Sequence, residues 1–239
     1  MTYKRQAGKS TREMANQRRN SALWVAGIGM GILVVVTLFA QNAKALGISG
    51  VGILALLVFV HVFGDFIEGQ VGRKIKLEKQ AIRGARAEEE VGELLDELPD
   101  DEYYVLHDIE SPYGNIDHIV FAKNRGIFLL ETKAHGGEVE IEGNTLFLNG
   151  ELPEKNFVAQ ALQNSYWLRD KISEVVGSKP WITPVIVFTN AFVPPTKPIK
   201  GVYVVNKKYL LPLVRRTNRP NSTLTKVWEV RENIENELS

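Results

Sequence analysis

A carboxylate and an amine stand two residues apart in the tripeptide Glu131-Thr132-Lys133. Alternate residues of a β-strand point to the same face, so Glu131 and Lys133 are predicted to lie side by side. The preceding residues, 127–130, are all apolar, which indicates a buried strand. Charged groups at the end of a buried strand are costly unless they pair, bind a metal or take part in chemistry. Taken alone, the tripeptide also fits an ordinary Glu–Lys pair on a strand surface.

A second carboxylate, Asp117, lies on the strand predicted before this one. The glycine that ends residues 124–126 favours a three-residue loop with a bulge, in which Lys123 pairs with Ile127. Asp117 then falls opposite Lys133 and faces the same way. A two-residue loop would turn Asp117 to the other face of the sheet.

Two carboxylates beside a lysine suit a hard divalent cation, Mg²⁺ or Mn²⁺. Mg²⁺ keeps several waters when it binds to proteins, and one of them can attack a phosphodiester. Lys133 would orient or deprotonate that water, or stabilise negative charge at the phosphate. These residue types therefore predict metal-dependent hydrolysis of phosphodiester bonds.

The elements that position these residues are predicted in the order α-β-β-β-α-β, which is a mixed α/β domain. A charged helix without proline is predicted over residues 65–97, and Pro99 stops it. Strands are predicted at 103–109, 116–122, 127–133, 182–188 and 202–205, with a small hairpin formed by 138–141 and 145–148. Further helices are predicted at 156–176 and 227–238.

Four segments in this order carry a family resemblance: GARAE at 84–88, NIDHIV at 115–120, GIFLLETK at 126–133 and NFVAQ at 156–160. Gly137 follows the third segment. In combination they resemble the nuclease-related domain (NERD) family of the PD-(D/E)XK nuclease superfamily, over roughly residues 84–190. The resemblance implies a restriction-endonuclease-like core, a mixed sheet flanked by helices, and a hydrolase that acts on nucleic acid.

The resemblance also implies roles for five residues. Glu88, Asp117 and Glu131 match the acidic metal-site positions, and Lys133 matches the catalytic lysine. Gln160 matches the family's glutamine on the next helix, which would help to position the substrate or the lysine.

The chain departs from the family pattern at two positions. Ala87 stands where the family usually has glycine, and Phe157 stands where it usually has proline. Neither change removes a catalytic group, but each affects local helix geometry. Glu89 and Glu90 adjoin Glu88, so a solvated acidic helix face is the alternative interpretation of Glu88.

Two histidines flank the predicted site. His118 follows Asp117 and should point to the opposite face of the strand, which favours a structural role. His135 lies just past the strand and, besides Lys133, is a candidate for contact with phosphate.

Two apolar runs, 22–40 and 46–63, contain no Asp, Glu, Lys or Arg, and each is long enough for a membrane-spanning helix. Residues 41–45 are predicted to form a tight turn between them. Basic residues precede the first run and follow the second: Lys4, Arg5, Lys9, Arg12, Arg18 and Arg19, then Arg73, Lys74, Lys76, Lys79, Arg83 and Arg86. This asymmetry predicts a multi-pass protein of the cell (inner or plasma) membrane with both termini cytoplasmic.

Two other interpretations of the apolar runs stay open. A basic stretch, an apolar run and Ala43-Lys44-Ala45 also resemble a signal peptide with its cleavage site, although the first run is longer than usual. Two buried helices of a soluble protein are the other. The predicted domains are a basic N-terminus (1–20), two transmembrane helices (21–64), a helical linker (65–83) and the nuclease-related domain (84–239) with a basic C-terminal extension.

Charge is unevenly distributed although the net charge is only +1. Acids dominate residues 88–117, whereas residues 179–226 contain no acid and nine bases. A basic surface beside an acidic metal site favours nucleic acid, DNA above all, as the partner, and lipid head groups are the alternative. Without cysteine, disulfides, thiolate-bound metals and thiol nucleophiles are excluded.

Three functions follow from these patterns. The favoured one is a membrane-anchored nuclease. The second is a catalytically silent module that tethers nucleic acid or a protein to the membrane, and the third is a hairpin scaffold. Assembly of the hairpin into a homo-oligomer is compatible with each.

Overall fold

A mixed β-sheet spans residues 103–206 of the structure, a computed structural model that describes residues 6–42, 50–216 and 222–238. Its strands are β1 (Tyr103–Ile109), β2 (Ile116–Ala122), β3 (Gly126–Glu142), β4 (Thr145–Leu148), β5 (Ile182–Phe192) and β6 (Tyr203–Asn206). The strand order is β1-β2-β3-β5-β6, and β4 pairs only with β3. The pairs β1–β2 and β2–β3 are antiparallel, whereas β3–β5 and β5–β6 are parallel.

Six α-helices accompany the sheet within the described residues: α1 (Lys9–Gln41), α2 (Gly50–Leu95), α3 (Phe157–Val176), α4 (Leu210–Arg216), α5 (Ser222–Glu229) and α6 (Arg231–Leu238). The chain divides into two units. One comprises Met1–Ser10 with Arg83–Ser239, and the other is Thr11–Ile82. All the predicted site residues belong to the first unit.

Helices cover both faces of the sheet. On one face the end of α2 and the short α4 pack on the strands, as in the cluster that contains Leu95 and Phe128. On the other face α3, α5 and α6 pack, as in the cluster that contains Leu168 and Leu129. Burial on both faces explains why the central strands are apolar at successive positions rather than at alternate ones. This arrangement confirms the predicted α/β class with a mixed sheet flanked by helices.

Strand β3 is longer than the sequence predicts. The strand expected at 127–133 and the hairpin strand expected at 138–141 form one continuous strand. Its pairing with β5 shifts by one residue between Lys133 and Gly136, which marks a β-bulge directly after Lys133. The bulge absorbs an extra residue, so the two parallel strands stay paired as far as Phe192.

The turn between β2 and β3 comprises residues 123–125, so the predicted turn at 124–126 is wrong by one residue. Ala122 pairs with Gly126, the first residue of β3. The N–H of Lys123 donates instead to the Glu102 carbonyl at 2.9 Å. This contact with the segment before β1 takes Lys123 out of the β2–β3 ladder.

The register that results differs from the predicted one. His118 pairs with Leu130, and the next position along places Asp117 opposite Glu131 rather than Lys133. The difference amounts to two residues, an even number, so Asp117 keeps the predicted face. The predicted convergence of the three side chains therefore survives the error in register.

The C-terminal helical region also differs from its prediction. The helix expected at 227–238 is two helices, α5 and α6. At their junction the Arg231 guanidinium donates to the Trp228 carbonyl at 2.7 Å, where a helix would supply a backbone N–H. Helix α4 is not predicted by the sequence, and its buried residues Leu210, Leu211 and Val214 explain why it packs on the sheet.

The second unit contains most of the length of the two apolar helices, α1 and α2. Windows of α1 and α2 have mean hydropathies of 2.4 and 2.2, with 11% and 0% of each window buried. By length and composition, both helices could cross a membrane. The middle and end of the predicted turn and the start of the second predicted span fall on residues 43–49, outside the described part of the chain.

Candidate active site

Glu131 and Lys133 form an ion pair at the end of the buried part of β3. Lys133 Nζ donates to Glu131 Oε1 at 2.6 Å. The side chains are only 13% and 4% exposed for Lys133 and Glu131, respectively. The other oxygen, Glu131 Oε2, is buried and has no hydrogen-bond partner among the described residues. An unsatisfied buried carboxylate oxygen is costly, so this atom marks a position where a ligand would be stabilised.

Asp117 reaches the same place from β2. Its Oδ2 accepts a hydrogen bond from the backbone N–H of Thr132 at 2.5 Å, between the two members of the ion pair. The backbone of β3 therefore orients the Asp117 carboxylate. Sequence reasoning did not identify the Thr132 donor, because it is a main-chain group that carries no residue-type signal.

The surroundings of Asp117 shift its pKa. Burial is the main cause that raises the pKa of Asp117 well above its usual value, followed by the charges of Glu131 and Glu88. Lys133 and the Thr132 N–H oppose this shift. Carboxylates close enough to repel one another in a poorly solvated site are a typical arrangement for acid–base chemistry or cation binding.

Glu88 lies on α2 and is half-buried. Its charge is near enough to Asp117 to raise the pKa of that carboxyl. Its neighbour Glu90 is engaged elsewhere, in an ion pair with Lys207. Glu88 is the member of the acidic run whose charge acts on Asp117, whereas the Glu90 side chain is 42% exposed. Ala87 is buried and helical, so the missing glycine leaves α2 unbroken.

Phe157, the residue that departs from the family's proline, lies beneath the lysine. Lys133 Nζ is 4.8 Å from the centroid of the Phe157 ring, a cation–π distance. Helix α3 still begins at Phe157, because the Asn156 side chain caps it by accepting from the Ala159 N–H at 3.0 Å. Phe157 in place of the family's usual proline is the sequence feature that could have indicated this contact with Lys133.

Gln160, one turn into α3, lies beside the β1–β2 turn. A Cβ built at Gly114 would be 3.5 Å from Gln160 Nε2. The turn is fastened to the same helix, since Ser111 Oγ lies 2.6 Å from the buried Asn164 Oδ1. Gln160 therefore borders the strand connection that leads into Asp117, but the structure shows no direct bond from Gln160 to Lys133.

The two flanking histidines differ. His118 is fully buried, its Nδ1 lies 2.8 Å from His107 Nδ1, and burial followed by His107 lowers its pKa well below its usual value. It is a structural residue, as its place in the strand predicts. His135 is an exposed residue at the bulge, but its ring centroid lies 5.5 Å from that of Phe157; this partial desolvation and then the charge of Lys133 lower its pKa.

The acidic groups do not form a ready three-ligand metal centre. Within the described part of the chain, no three His, Asp or Glu side chains come close enough together to hold an ion. Two carboxylates, one of them with an unpartnered buried oxygen, still fit Mg²⁺, which in proteins binds through one or two carboxylates plus water and substrate phosphate.

One comparison with known proteins finds a match. Residues 83–189 match the nuclease-related domain family, a segment that contains Glu88, Asp117, Glu131, Lys133 and Gln160. No curated protein and no solved structure matches the chain.

Proposed function

Because the chain carries a nuclease-related domain over residues 83–189, we propose that it hydrolyses phosphodiester bonds in nucleic acid with the help of Mg²⁺ or Mn²⁺. DNA is the favoured substrate. The observation that supports this most is the convergence of Asp117, Glu131 and Lys133 at one end of β3, with Glu131 Oε2 buried and unpartnered among the described residues.

Asp117 and Glu131 would hold the cation, with Glu88 on the neighbouring helix as a third acidic contributor. When bound, a divalent cation neutralises charge on a phosphate and lowers the pKa of water. The raised pKa of Asp117 supports this assignment: burial disfavours its ionised form, the charges of Glu131 and Glu88 add to this, and a cation would stabilise the ionised carboxylates.

Lys133 would act on the phosphate or on the attacking water. Its ammonium is held in place by Glu131 Oε1 and by the face of Phe157, so it needs little reorganisation when negative charge develops. Gln160 would hydrogen-bond the substrate from α3. His135, exposed and next to the bulge, contacts the same Phe157 ring as the Lys133 ammonium, so it is a further candidate for contact with phosphate.

The acid-free stretch 179–226 would hold the nucleic-acid backbone. Its bases are Lys179, Lys197, Lys200, Lys207, Lys208, Arg215, Arg216, Arg219 and Lys226. Lys207 is paired with Glu90, whereas Lys197 and Lys200 are exposed. Such contacts release counterions, so binding should weaken steeply as salt rises. Anionic lipid is the alternative ligand for the same surface.

The activity is tested with the full-length chain in detergent. Linear, circular and single-stranded DNA and RNA are incubated with Mg²⁺, Mn²⁺ or a chelator. We expect metal-dependent cleavage, reduced at least about 100-fold by Glu131→Gln, which removes a buried charge from the site. Glu140→Gln is the matched control, since Glu140 is an exposed glutamate on the same strand.

Two negative outcomes of this experiment distinguish the alternative functions. Salt-sensitive binding without cleavage would replace the nuclease with the silent tethering module. If neither cleavage nor binding is detected, the membrane scaffold is the remaining function. The mass of the detergent complex, measured on the same sample, tests the proposed homo-oligomer.

We also propose that α1 and α2 anchor the chain in the cell membrane as a multi-pass protein with both termini in the cytoplasm. The support is the apolar composition of both helices and the excess of basic residues on either side of the hairpin.

The orientation can be mapped with single cysteines, because the chain has none of its own. A membrane-impermeant maleimide should label Asn42→Cys in intact cells. It should label Glu237→Cys, on the exposed side of α6, only after lysis. Labelling of both sites in intact cells, or loss of the first 45 residues from the mature protein, would contradict the hairpin, and the loss would indicate a cleaved signal peptide.

A further inference from the structure

A short segment at the N-terminus of the chain packs against the nuclease-related domain. Residues 6–10 belong to the same structural unit as residues 83–238, although at least 72 residues separate them in sequence. Gly8 is buried with a φ of +72°, and a Cβ built on it would lie 2.8 Å from the Ala85 carbonyl oxygen. Glycine is required there for both reasons, so the close approach of this segment to α2 depends on the residue type.

Ser10 connects this segment to the end of β1. Its backbone N–H donates to Asp108 Oδ2 at 3.1 Å, and its Oγ donates to Asp108 Oδ1 at 2.5 Å. Asp108 is 5% exposed and has a φ of 58°, in the left-handed region. A buried carboxylate needs donors, and Ser10 supplies two of them from a distant part of the sequence.

Asn115 is the third residue of this hydrogen-bonded cluster, with Ser10 and Asp108, and lies close in sequence to the candidate site. Its Nδ2 donates to Ser10 Oγ at 2.5 Å and also to the Asp108 carboxylate. Asn115 directly precedes β2 and stands two residues before Asp117. The three side chains therefore link the end of β1 to the start of β2, close in sequence to the candidate carboxylate of Asp117.

We infer that Ser10 is a positioning residue of the candidate active site, acting through Asp108 and Asn115 on Asp117. The N-terminal segment is thus part of the nuclease-related domain, and a fragment that starts after the apolar helices lacks it. Without the Ser10 hydroxyl, the Asn115 amide loses one acceptor and the Asp108 carboxylate loses one donor. The start of β2 then gains freedom, and the Asp117 carboxylate leaves its position against the Thr132 N–H.

The catalytic consequence rests on the proposed function, whereas the structural consequence does not. A misplacement of about 1 Å in a reacting group costs on the order of 100-fold in rate. A residue that only positions Asp117 should lower kcat and leave KM nearly unchanged, because it touches no substrate.

The test uses the full-length chain in detergent with three variants. Ser10→Ala removes the hydroxyl, Ser10→Thr keeps it, and Ser178→Ala is the matched control, since the Ser178 hydroxyl bonds Thr223 Oγ1 at 3.4 Å outside this cluster. Hydrogen exchange is followed at the amides of residues 115–117, and cleavage kinetics are followed with Mg²⁺.

We expect Ser10→Ala to speed exchange at residues 115–117 and to lower kcat about 10-fold or more with KM nearly constant, and Ser10→Thr to restore both. Unchanged exchange at residues 115–117 in Ser10→Ala overturns the inference, whether or not the wild-type chain cleaves DNA. Equal effects of Ser10→Ala and Ser178→Ala overturn it as well. Faster exchange in a chain that never cleaves removes the proposed function and supports the inference.

Discussion

Lys133→Ala should abolish cleavage and also destabilise the domain. Among the described residues, the ammonium of Lys133 is the cation that lowers the pKa of Asp117, and its loss removes the positive charge that would face the phosphate. We expect cleavage to fall by about 100- to 1,000-fold. The free energy of unfolding should fall by about 3 kcal/mol, because Glu131, 4% exposed, would lose its partner. Cleavage kinetics and urea denaturation measure the two effects.

A double variant separates the two effects. Glu131→Gln with Lys133→Met replaces the ion pair by neutral groups of similar size, so neither member of the pair is left as an unpaired buried charge. We expect it to recover most of the lost stability and none of the cleavage. Recovery of cleavage would show that the pair supports the fold rather than the chemistry.

A second lysine on an aromatic ring provides the matched control. Lys123 Nζ lies 5.7 Å from the centroid of Trp228, much as Lys133 lies over Phe157, but Lys123 is exposed. Lys123→Ala should leave the stability within about 0.5 kcal/mol of the wild type. Cleavage by Lys133→Ala at the rate of Lys123→Ala would exclude Lys133 from the reaction.

Local sequence patterns predicted the strands that carry the site. The observed bounds of β1, β2 and β4 match the predicted ones, because apolar runs between turn residues are a strong local signal. The face shared by Asp117, Glu131 and Lys133 was also predicted correctly, since alternation along a strand depends only on parity. The register was not, because the Lys123 N–H is held by the distant Glu102 carbonyl.

Contacts across long sequence distances account for what the patterns missed. The bulge after Lys133 is a shift in the pairing with β5, more than 50 residues downstream. Gly136 and Gly137 are its local signal, but they do not show that the strand continues past them. The Ser10–Asp108 bonds span 98 residues, and the serine lies in residues 1–20, which local patterns assign to a basic N-terminus outside the nuclease-related domain. Residue types therefore indicated the chemistry, while the support of each side chain required the tertiary structure.

Asp117→Asn should make the metal-free domain less sensitive to pH while it removes cleavage. Burial and the charges of Glu131 and Glu88 raise the pKa of Asp117 in the folded state. The folded state then holds its proton at pH values where the unfolded state has released it. Stability from this group is therefore present below the unfolded pKa of about 4 and is lost as the pH rises toward the folded pKa.

Asparagine removes this loss and keeps an oxygen that accepts the Thr132 N–H. In chelator at about pH 8 we expect Asp117→Asn to be more stable than the wild type by on the order of 1 kcal/mol, with no difference at about pH 4. With Mg²⁺ the order should reverse, because the cation stabilises only the chain that keeps the carboxylate. Denaturation as a function of pH and Mg²⁺ measures both, and Asp101→Asn, at an exposed position, is the control. The proposal would be contradicted if Asp117→Asn were less stable than the wild type in chelator at high pH and if Mg²⁺ did not stabilise the wild type. Asp117 would then support the strand and not a cation, and the nuclease proposal would lose its best-placed metal ligand.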